Sequence, residues 1–405
     1  MIDGSEGPVP ARVVAALEQG TAWASRSWRP EDREAGPFRR YVAVGDPQAS
    51  FEKYLRILDR HEVLGADGRL RPDVALLSAG DHFDYEGDLP TVQEDGLRLL
   101  GWLAGHPAGQ VAILAGNHDL CRVVELAGVT DGRFRDARRA AREVNELRKS
   151  GDREDALREA RRQFAEAFPE IPTPKVANRD WGSFTEAQRR LVQELLLAGR
   201  LRLAQVARQR DGRPVLLTHA GVTHGSLDLL ALPRSSPPEP IARALAKSLE
   251  RALARVARDW KDGKAASLDL APIYVPGGAG HEGGGILYHR PAHPESMARE
   301  GERAPRAPRR FDPRTLPVGL LQACGHAGHR KCAEDLGPWV SDEARAVARG
   351  GLRTLRTDGT DVHYEMGIRP VPSEQAGLFM IDGEMNRVPV EDYPVLELDG
   401  WVEPS

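Results

Sequence analysis

Five short apolar runs punctuate the chain, and all five close on the same kind of residue. "RRYVAVGD", "PDVALLSAGD", "GQVAILAGNHD", "GRPVLLTHAGV" and "VGLLQACGHAGH" end at Asp46, Asp81, Asn117-His118, His219 and His326. Short apolar runs bounded by turn residues predict buried strands. Between the first three, the period becomes helical. "SFEKYLRILDRHEVL" places Phe51, Tyr54, Leu55 and Leu58 on one face, with Ser50 as the predicted N-cap. "TVQEDGLRLLGWLAG" repeats the pattern. Strands alternating with helices predict an α/β architecture.

A helical pattern, "ARVVAALEQGTAWAS", lies in an N-terminal extension over residues 1–38, and the main domain runs over 39–405. Residues 120–210 are mostly helical by pattern, with Arg and Glu at mixed spacing. They read as a solvated helical insertion, or alternatively as a cap that shapes a substrate entrance. Interleaved acids argue against a nucleic-acid arm. "EPIARALAKSLERALARVARDW" (239–260) is an amphipathic helix. Residues 264–318, rich in Gly, Pro and Arg, predict a long and partly mobile loop. "VHYEM", "AGLFMID" and "YPVLEL" are short strand-like segments near the end.

Composition narrows the class. Of 405 residues, 40% are hydrophobic and 29% charged, enough for a packed core in one large domain or two ordinary ones. The net charge of −4 favours neither nucleic acid nor an anionic membrane. No apolar stretch reaches the roughly 18 residues of a membrane span, and "MIDGSEGPVP" has no signal-peptide core. Three cysteines are too few for a disulfide framework. A cytoplasmic protein is expected.

Taken alone, "GNHD" reads as a turn, since Gly and Asn tolerate left-handed backbone and Asp caps helices. Five such ends change that reading. Ligands of open α/β sheets sit at the carboxyl ends of strands. If these ends converge, Asp, Asn and His side chains meet in one place. Oxygen donors mixed with imidazole suit Mn²⁺, Fe or Zn²⁺ and require no cysteine.

The blocks "VGDPQ" (44–48), "GDHFD" (80–84), "GNHD" (116–119), "THAGV" (218–222) and "GHAGH" (325–329) stand in the order of the calcineurin-like metallophosphoesterases, which the chain resembles. The texture around "GNHD" and "HAGV" is most similar to the serine/threonine phosphatase and diadenosine-tetraphosphatase branch. The resemblance implies a four-layer sandwich, two facing mixed sheets flanked by helices, carrying the helical insertion. It implies two divalent transition-metal ions, Mn foremost, with Fe or Zn as alternatives. Asp81 would bridge them, Asp46 would hold the first, and Asn117, His219 and His326 the second. His118 would act as general acid or phosphate donor, oriented by Asp84. The implied reaction is attack on a phosphate ester by a hydroxide held between ions about 3.5–4 Å apart. A phosphorylated small molecule or protein is the expected partner. A dinucleoside-polyphosphate or nucleotide hydrolase and a non-catalytic metal-binding module are the alternatives. Oligomeric state stays open.

The chain departs from the family in two places. The first block is usually Asp-X-His, and here Gln48 offers only an amide oxygen. His329, three residues after His326 and following Gly328, is a candidate to complete the first metal site. The phosphate-clamping Arg that follows the second block in the phosphatases is missing. Tyr85 stands there with a neutral hydroxyl, and Arg290 in "GGGILYHRP" is the candidate substitute, ahead of His281 and His289. Cys324 reads as a small buried residue, and "LFMIDGEMN" (378–386) as structural.

Overall fold

The computed structural model describes residues 7–24, 36–150, 154–298 and 307–402. Its strands, in chain order, are β1 (Arg40–Val44), β2 (Val74–Ser78), β3 (Val111–Leu114), β4 (Leu201–Arg202), β5 (Ala204–Arg208), β6 (Pro214–Thr218), β7 (Arg290–Pro291), β8 (Arg310–Phe311), β9 (Leu321–Cys324), β10 (Arg353–Thr357), β11 (Val362–Met366), β12 (Ala376–Met380), β13 (Leu396–Leu398) and β14 (Gly400–Val402). One sheet has the order β13-β1-β2-β3-β4, the other β11-β10-β12-β9-β6-β5-β14. β1, β2, β3 and β4 run parallel in the first, and β6, β9 and β12 run parallel in the second. Antiparallel strands complete both sheets.

Both sheets are covered on both faces, so their strands are apolar throughout while alternate residues serve different cores. Ala43, Leu77, Ala112 and Leu114 of the first sheet pack against Val215, Leu217, Leu321, Ala323 and Phe379 of the second. The intervening Val42, Val44, Leu76 and Ile113 face outward onto Phe51, Tyr54, Leu55, Leu99 and Trp102 of helices Phe51–Arg60 and Leu89–Gly105. The outer face of the second sheet is covered in two parts. Val206 and Leu216 meet Leu245, Leu249 and Trp260 of helix Pro238–Lys261. Leu355, Tyr364, Leu378 and Met380 meet Leu336, Val340 and Ala344. The result is the expected sandwich of two mixed sheets flanked by helices.

Ser50 caps its helix as predicted, its Oγ accepting from the Lys53 N–H at 3.2 Å. The N-terminal helix, Ala11–Ala24, joins the outer core through Val13 and Ala16. Gly20 lets it approach, since a Cβ there would lie 2.4 Å from the Phe51 ring. No helix among the described residues is long and apolar enough to cross a membrane.

Three expectations need correction. The helical pattern assigned to 120–210 stops short, because β4 and β5 occupy 201–208. Arg202, Gln205 and Arg208 interrupt the apolar signal in this two-strand stretch. The insertion is not merely solvated. Phe134, Ala137, Ala141, Phe164, Trp181 and Phe184 form a core of their own, with the Phe134 and Phe184 rings 5.0 Å apart. The Gly/Pro/Arg-rich stretch, predicted as a partly mobile loop, is packed over much of its length; residues 299–306 lie outside the described residues. Leu268, Ile273, Tyr274, Ile286, Leu287 and Tyr288 are buried. Their irregular spacing is invisible to a periodicity test.

Glu125 anchors that stretch. Its carboxylate accepts from the Tyr274 hydroxyl at 2.8 Å and the Gly277 N–H at 3.1 Å, and the Tyr274 and Tyr288 hydroxyls are 2.7 Å apart. Burial pushes the Glu125 carboxyl up to about 8. An unfolded glutamate titrates near pH 4.3. Between that pH and about 8, the unfolded chain gives up a proton that the fold retains, so stability falls as pH rises through this window. Glu125→Gln removes the dependence and keeps an acceptor for Gly277. Its melting temperature relative to wild type should climb by a few degrees from pH 5 to pH 8, then level off. Thermal melts across that range check this, and a difference that is flat in pH overturns it.

Candidate metal centre

Parallel strands of the two sheets deliver their carboxyl ends to one edge, where the sheets meet. Asp46 follows β1, Asp81 follows β2, Asn117 follows β3, His219 follows β6 and His326 follows β9. His219 Nε2 lies 3.1 Å from Asn117 Oδ1, 3.2 Å from His326 Nδ1 and 3.5 Å from Asp81 Oδ1. The donor atoms of Asp81, His219 and His326 all fall within 4.8 Å of one another, and all three residues are buried. Asp46 adjoins them, both its oxygens accepting from the His326 N–H at 3.0 and 2.9 Å.

Local backbone chemistry makes this density of donors possible. A Cβ on Gly116 would lie 2.1 Å from Asp81 Oδ1, and one on Gly325 1.9 Å from Asp46 Oδ1. Asp81, Asp84 and His326 hold left-handed backbone, with φ of 56°, 66° and 63°. Such conformations persist where the surroundings over-determine them. Asp119 provides much of that constraint. Its carboxylate accepts from the N–H groups of Gly116, Asp81 and His82 at 2.8, 2.9 and 3.0 Å, and pairs with His82 Nδ1 at 3.0 Å. The turn residue of "GNHD" thus clamps two strand ends together.

The donor set calls for a cation. His219 Nδ1 donates to the Ala79 carbonyl at 2.8 Å, which turns the Nε2 lone pair toward Asn117, His326 and Asp81. Burial opposes charge on His219, yet the Asp81 and Asp46 carboxylates raise it to about 10. Burial, followed by the charges of Arg290 and His219, holds His326 well below its ordinary range, so its imidazole is neutral. Burial, then the neighbouring Asp382 and Asp81 charges, pushes Asp46 up. Electron-rich atoms crowded in a buried site are reconciled by a divalent ion, for which imidazole, carboxylate and carboxamide are fitting ligands. Asp81, Asn117, His219 and His326 fit that role.

His118 stands beside these donors. Its N–H donates to Asp81 Oδ1 at 2.8 Å and its Nδ1 meets Asp84 Oδ2 at 3.1 Å. Asp84 is held in turn by Arg122 Nη2 at 3.0 Å and by Ser183, through its N–H at 3.0 Å and its hydroxyl at 2.6 Å. Burial alone would raise Asp84; Arg122 and His118 outweigh it and hold the carboxyl below its usual range. Burial would likewise lower His118, but Asp81 and Asp84 raise it. Arg122 is fully buried, lies 4.0 Å over the Phe83 ring and donates to Gln188 at 3.1 Å.

Other residues singled out in the sequence are placed elsewhere. His329 does not reach the site. It opens helix His329–Leu336 and turns into the core, with Nδ1 2.9 Å from the Tyr364 hydroxyl and Nε2 3.0 Å from the carbonyls of Ala344 and Val347. Both ring nitrogens are spent on protein partners. Tyr85 is also turned away, donating its hydroxyl to Asp95 at 2.6 Å. Gln48 lies half-buried on the loop two residues after Asp46. Arg290 is half-buried, and its charge acts on His326. His289 is buried against Phe311 and bonds the Gly221 carbonyl at 3.2 Å. "LFMIDGEMN" continues β12 into a turn in which Asp382 accepts from the Glu384 N–H at 2.9 Å, and the Asp382 charge helps push Asp46 up. Arg122, Ser183 and Arg353 were missed. Arg353 is fully buried and donates to the carbonyls of Ala327 and Asp382 at 3.2 and 2.7 Å. Arg122, five residues after Asn117, carried a faint signal as a charge in an apolar stretch; the other two carried none.

Comparison with known proteins gives one match. The family model for calcineurin-like phosphoesterase covers residues 39–261, taking in the strand ends from Asp46 to His219. No curated protein and no solved structure matches the chain. His326 lies beyond the matched stretch, yet the fold carries it to within 3.2 Å of His219. With the family model spanning more than half of the sequence, this chain belongs to the calcineurin-like phosphoesterases.

Proposed function

We propose that the protein is a metal-dependent phosphoesterase acting on phosphomonoesters. The observation that carries this reading is a half-buried His118–Asp84 pair set beside a convergence of metal-type donors. In this reading Asp81, Asn117, His219 and His326 hold one divalent ion, and Asp46, Gln48 and Asp81 hold a second. When bound, such ions neutralise phosphate oxygens and make water a nucleophile near neutral pH. The protein's own groups do the rest. Asp84 accepts the Nδ1 proton of His118 and fixes the ring, so that Nε2 presents its proton to the departing oxygen. Arg122 and Ser183 keep Asp84 ionised and aligned. Arg290 supplies positive charge for the phosphoryl group. A phosphorylated small molecule or protein is the partner, and a cytoplasmic setting accords with three buried free cysteines.

Protein stripped with a chelator should be inert toward p-nitrophenyl phosphate, and Mn²⁺ should restore turnover. A phosphopeptide and diadenosine tetraphosphate assayed alongside test the monoester preference. Protein of verified metal content that hydrolyses none of the three overturns the reading.

A further inference from the structure

Arg353 opens β10, an antiparallel strand, and that direction brings it to the metal edge. β10 pairs with β12 so that Arg353 lies opposite Met380, the last residue of β12. The start of β10 thus meets the edge where β9 and β12 end. There the guanidinium is fully buried. Its Nη2 donates to two main-chain carbonyls, Ala327 at 3.2 Å and Asp382 at 2.7 Å. Nε and Nη1 are also buried and have no hydrogen-bond acceptor among the described residues.

Both carbonyls belong to turns beside metal-type donors. Ala327 follows His326, whose φ of 63° is left-handed backbone, held where the surroundings enforce it. On the upstream side, the Cys324 carbonyl accepts from the Ile381 N–H at 2.8 Å. Arg353 fixes the downstream side. Asp382 is the second hold. A Cβ on Gly45 would lie 2.0 Å from the Ile381 carbonyl oxygen and 2.8 Å from the Asp382 Cα, so the residue before Asp46 rests directly on the Ile381–Asp382 peptide. Asp46 in turn accepts from the His326 N–H through both oxygens, at 3.0 and 2.9 Å. The contacts close a ring that runs from Arg353 through the His326 turn, Asp46, Gly45 and the Ile381–Asp382 peptide back to Arg353.

We propose that Arg353 is a positioning residue of the metal centre. By holding the Ala327 and Asp382 carbonyls, it sets the placement of His326 relative to Asp46, two ligands delivered by opposite sheets. This rests on the metal-centre reading and adds to it a residue outside the ligand set. Stability alone does not call for an arginine here. A buried guanidinium with two unmet donors and no ion pair among the described residues is costly, and an apolar side chain of similar volume fills such a place as well or better. What an apolar side chain cannot do is hold two carbonyls at a fixed spacing.

The test reads metal binding beside stability, on the full chain. Arg353→Met keeps the volume and removes every donor. Arg353→Lys keeps the charge but ends one atom short of Nη2. Arg356→Gln, the control, takes a charge from the same strand, where Arg356 pairs with Glu365 at 3.0 Å. Calorimetric titration with Mn²⁺ should show a loss of roughly 10–100-fold in affinity for Arg353→Met, a smaller loss for Arg353→Lys, and wild-type affinity for Arg356→Gln. The visible absorption of Co²⁺-loaded protein, which reports ligand geometry, should change with Arg353→Met and keep its wild-type form with Arg356→Gln. A lowered melting temperature with Mn²⁺ affinity and Co²⁺ spectrum unaltered makes Arg353 merely structural and overturns the proposal. If Arg353→Met does not fold, Arg353→Lys decides on the same two readouts. Turnover plays no part, so Mn²⁺ binding that depends on Arg353 in a protein inert toward phosphoesters sinks the hydrolase and keeps this assignment. A wild type that binds neither ion sinks the metal centre and the proposal with it.

Discussion

Asp81→Asn should cost the protein both its metal and its turnover. Asp81 is the carboxylate at the centre of the donor cluster, 3.5 Å from His219 Nε2, and the neighbouring histidines hold it ionised against burial. An amide of the same shape removes that charge and sets an N–H₂ group where a ligand oxygen stood. Loss of a partner that merely orients a ligand costs roughly 10–100-fold in metal affinity, so removing this ligand should cost at least about 100-fold. The fold itself should survive. Asparagine tolerates the left-handed backbone that Asp81 adopts, and its carbonyl can still accept from the His118 N–H. Elemental analysis after dialysis, set beside a thermal melt, separates the two effects. A well-folded variant with full metal content and activity would remove Asp81 from the site.

His118→Asn should act differently, sparing the metal and lowering kcat. General acids contribute about 10²–10⁴-fold. The loss should approach the upper end for alkyl phosphates, whose alkoxide needs a proton, and shrink for p-nitrophenyl phosphate, whose phenolate departs without one. Asp84 makes this sharper than a bare imidazole would allow, because it fixes the proton on Nδ1 and holds the ring at one orientation. Equal losses on good and poor leaving groups would reassign His118 from proton donor to phosphate binder.

Much of the candidate site was legible because its signals are local. A strand buried on both faces must be apolar, and the turn that ends it must be polar, so Asp46, Asp81, Asn117, His219 and His326 stood out as ends of runs. The ladder of parallel strands then carried those ends to one edge. His329 shows where local reading fails. Three residues and a glycine from His326, it is near in sequence, but the helix it opens rotates its ring into the core behind β11. Tyr85 fails in the same way, through a bond to Asp95 on the next helix.

By itself, then, the sequence determined the α/β alternation, the strand ends and the family, since burial and turn chemistry act over a few residues. Only the tertiary structure decided what surrounds His118. The Asp84–Ser183 bonds span 99 residues, Arg122–Ser183 spans 61, and Asp46–His326 spans 280. No period or local preference encodes a contact at that range. The same holds for the Gly/Pro/Arg-rich stretch, whose order comes from Glu125 and from apolar side chains that find their partners only once both sheets are in place. A charge such as Arg122 looks like any other arginine along the chain. What distinguishes it is the set of groups that folding brings against it.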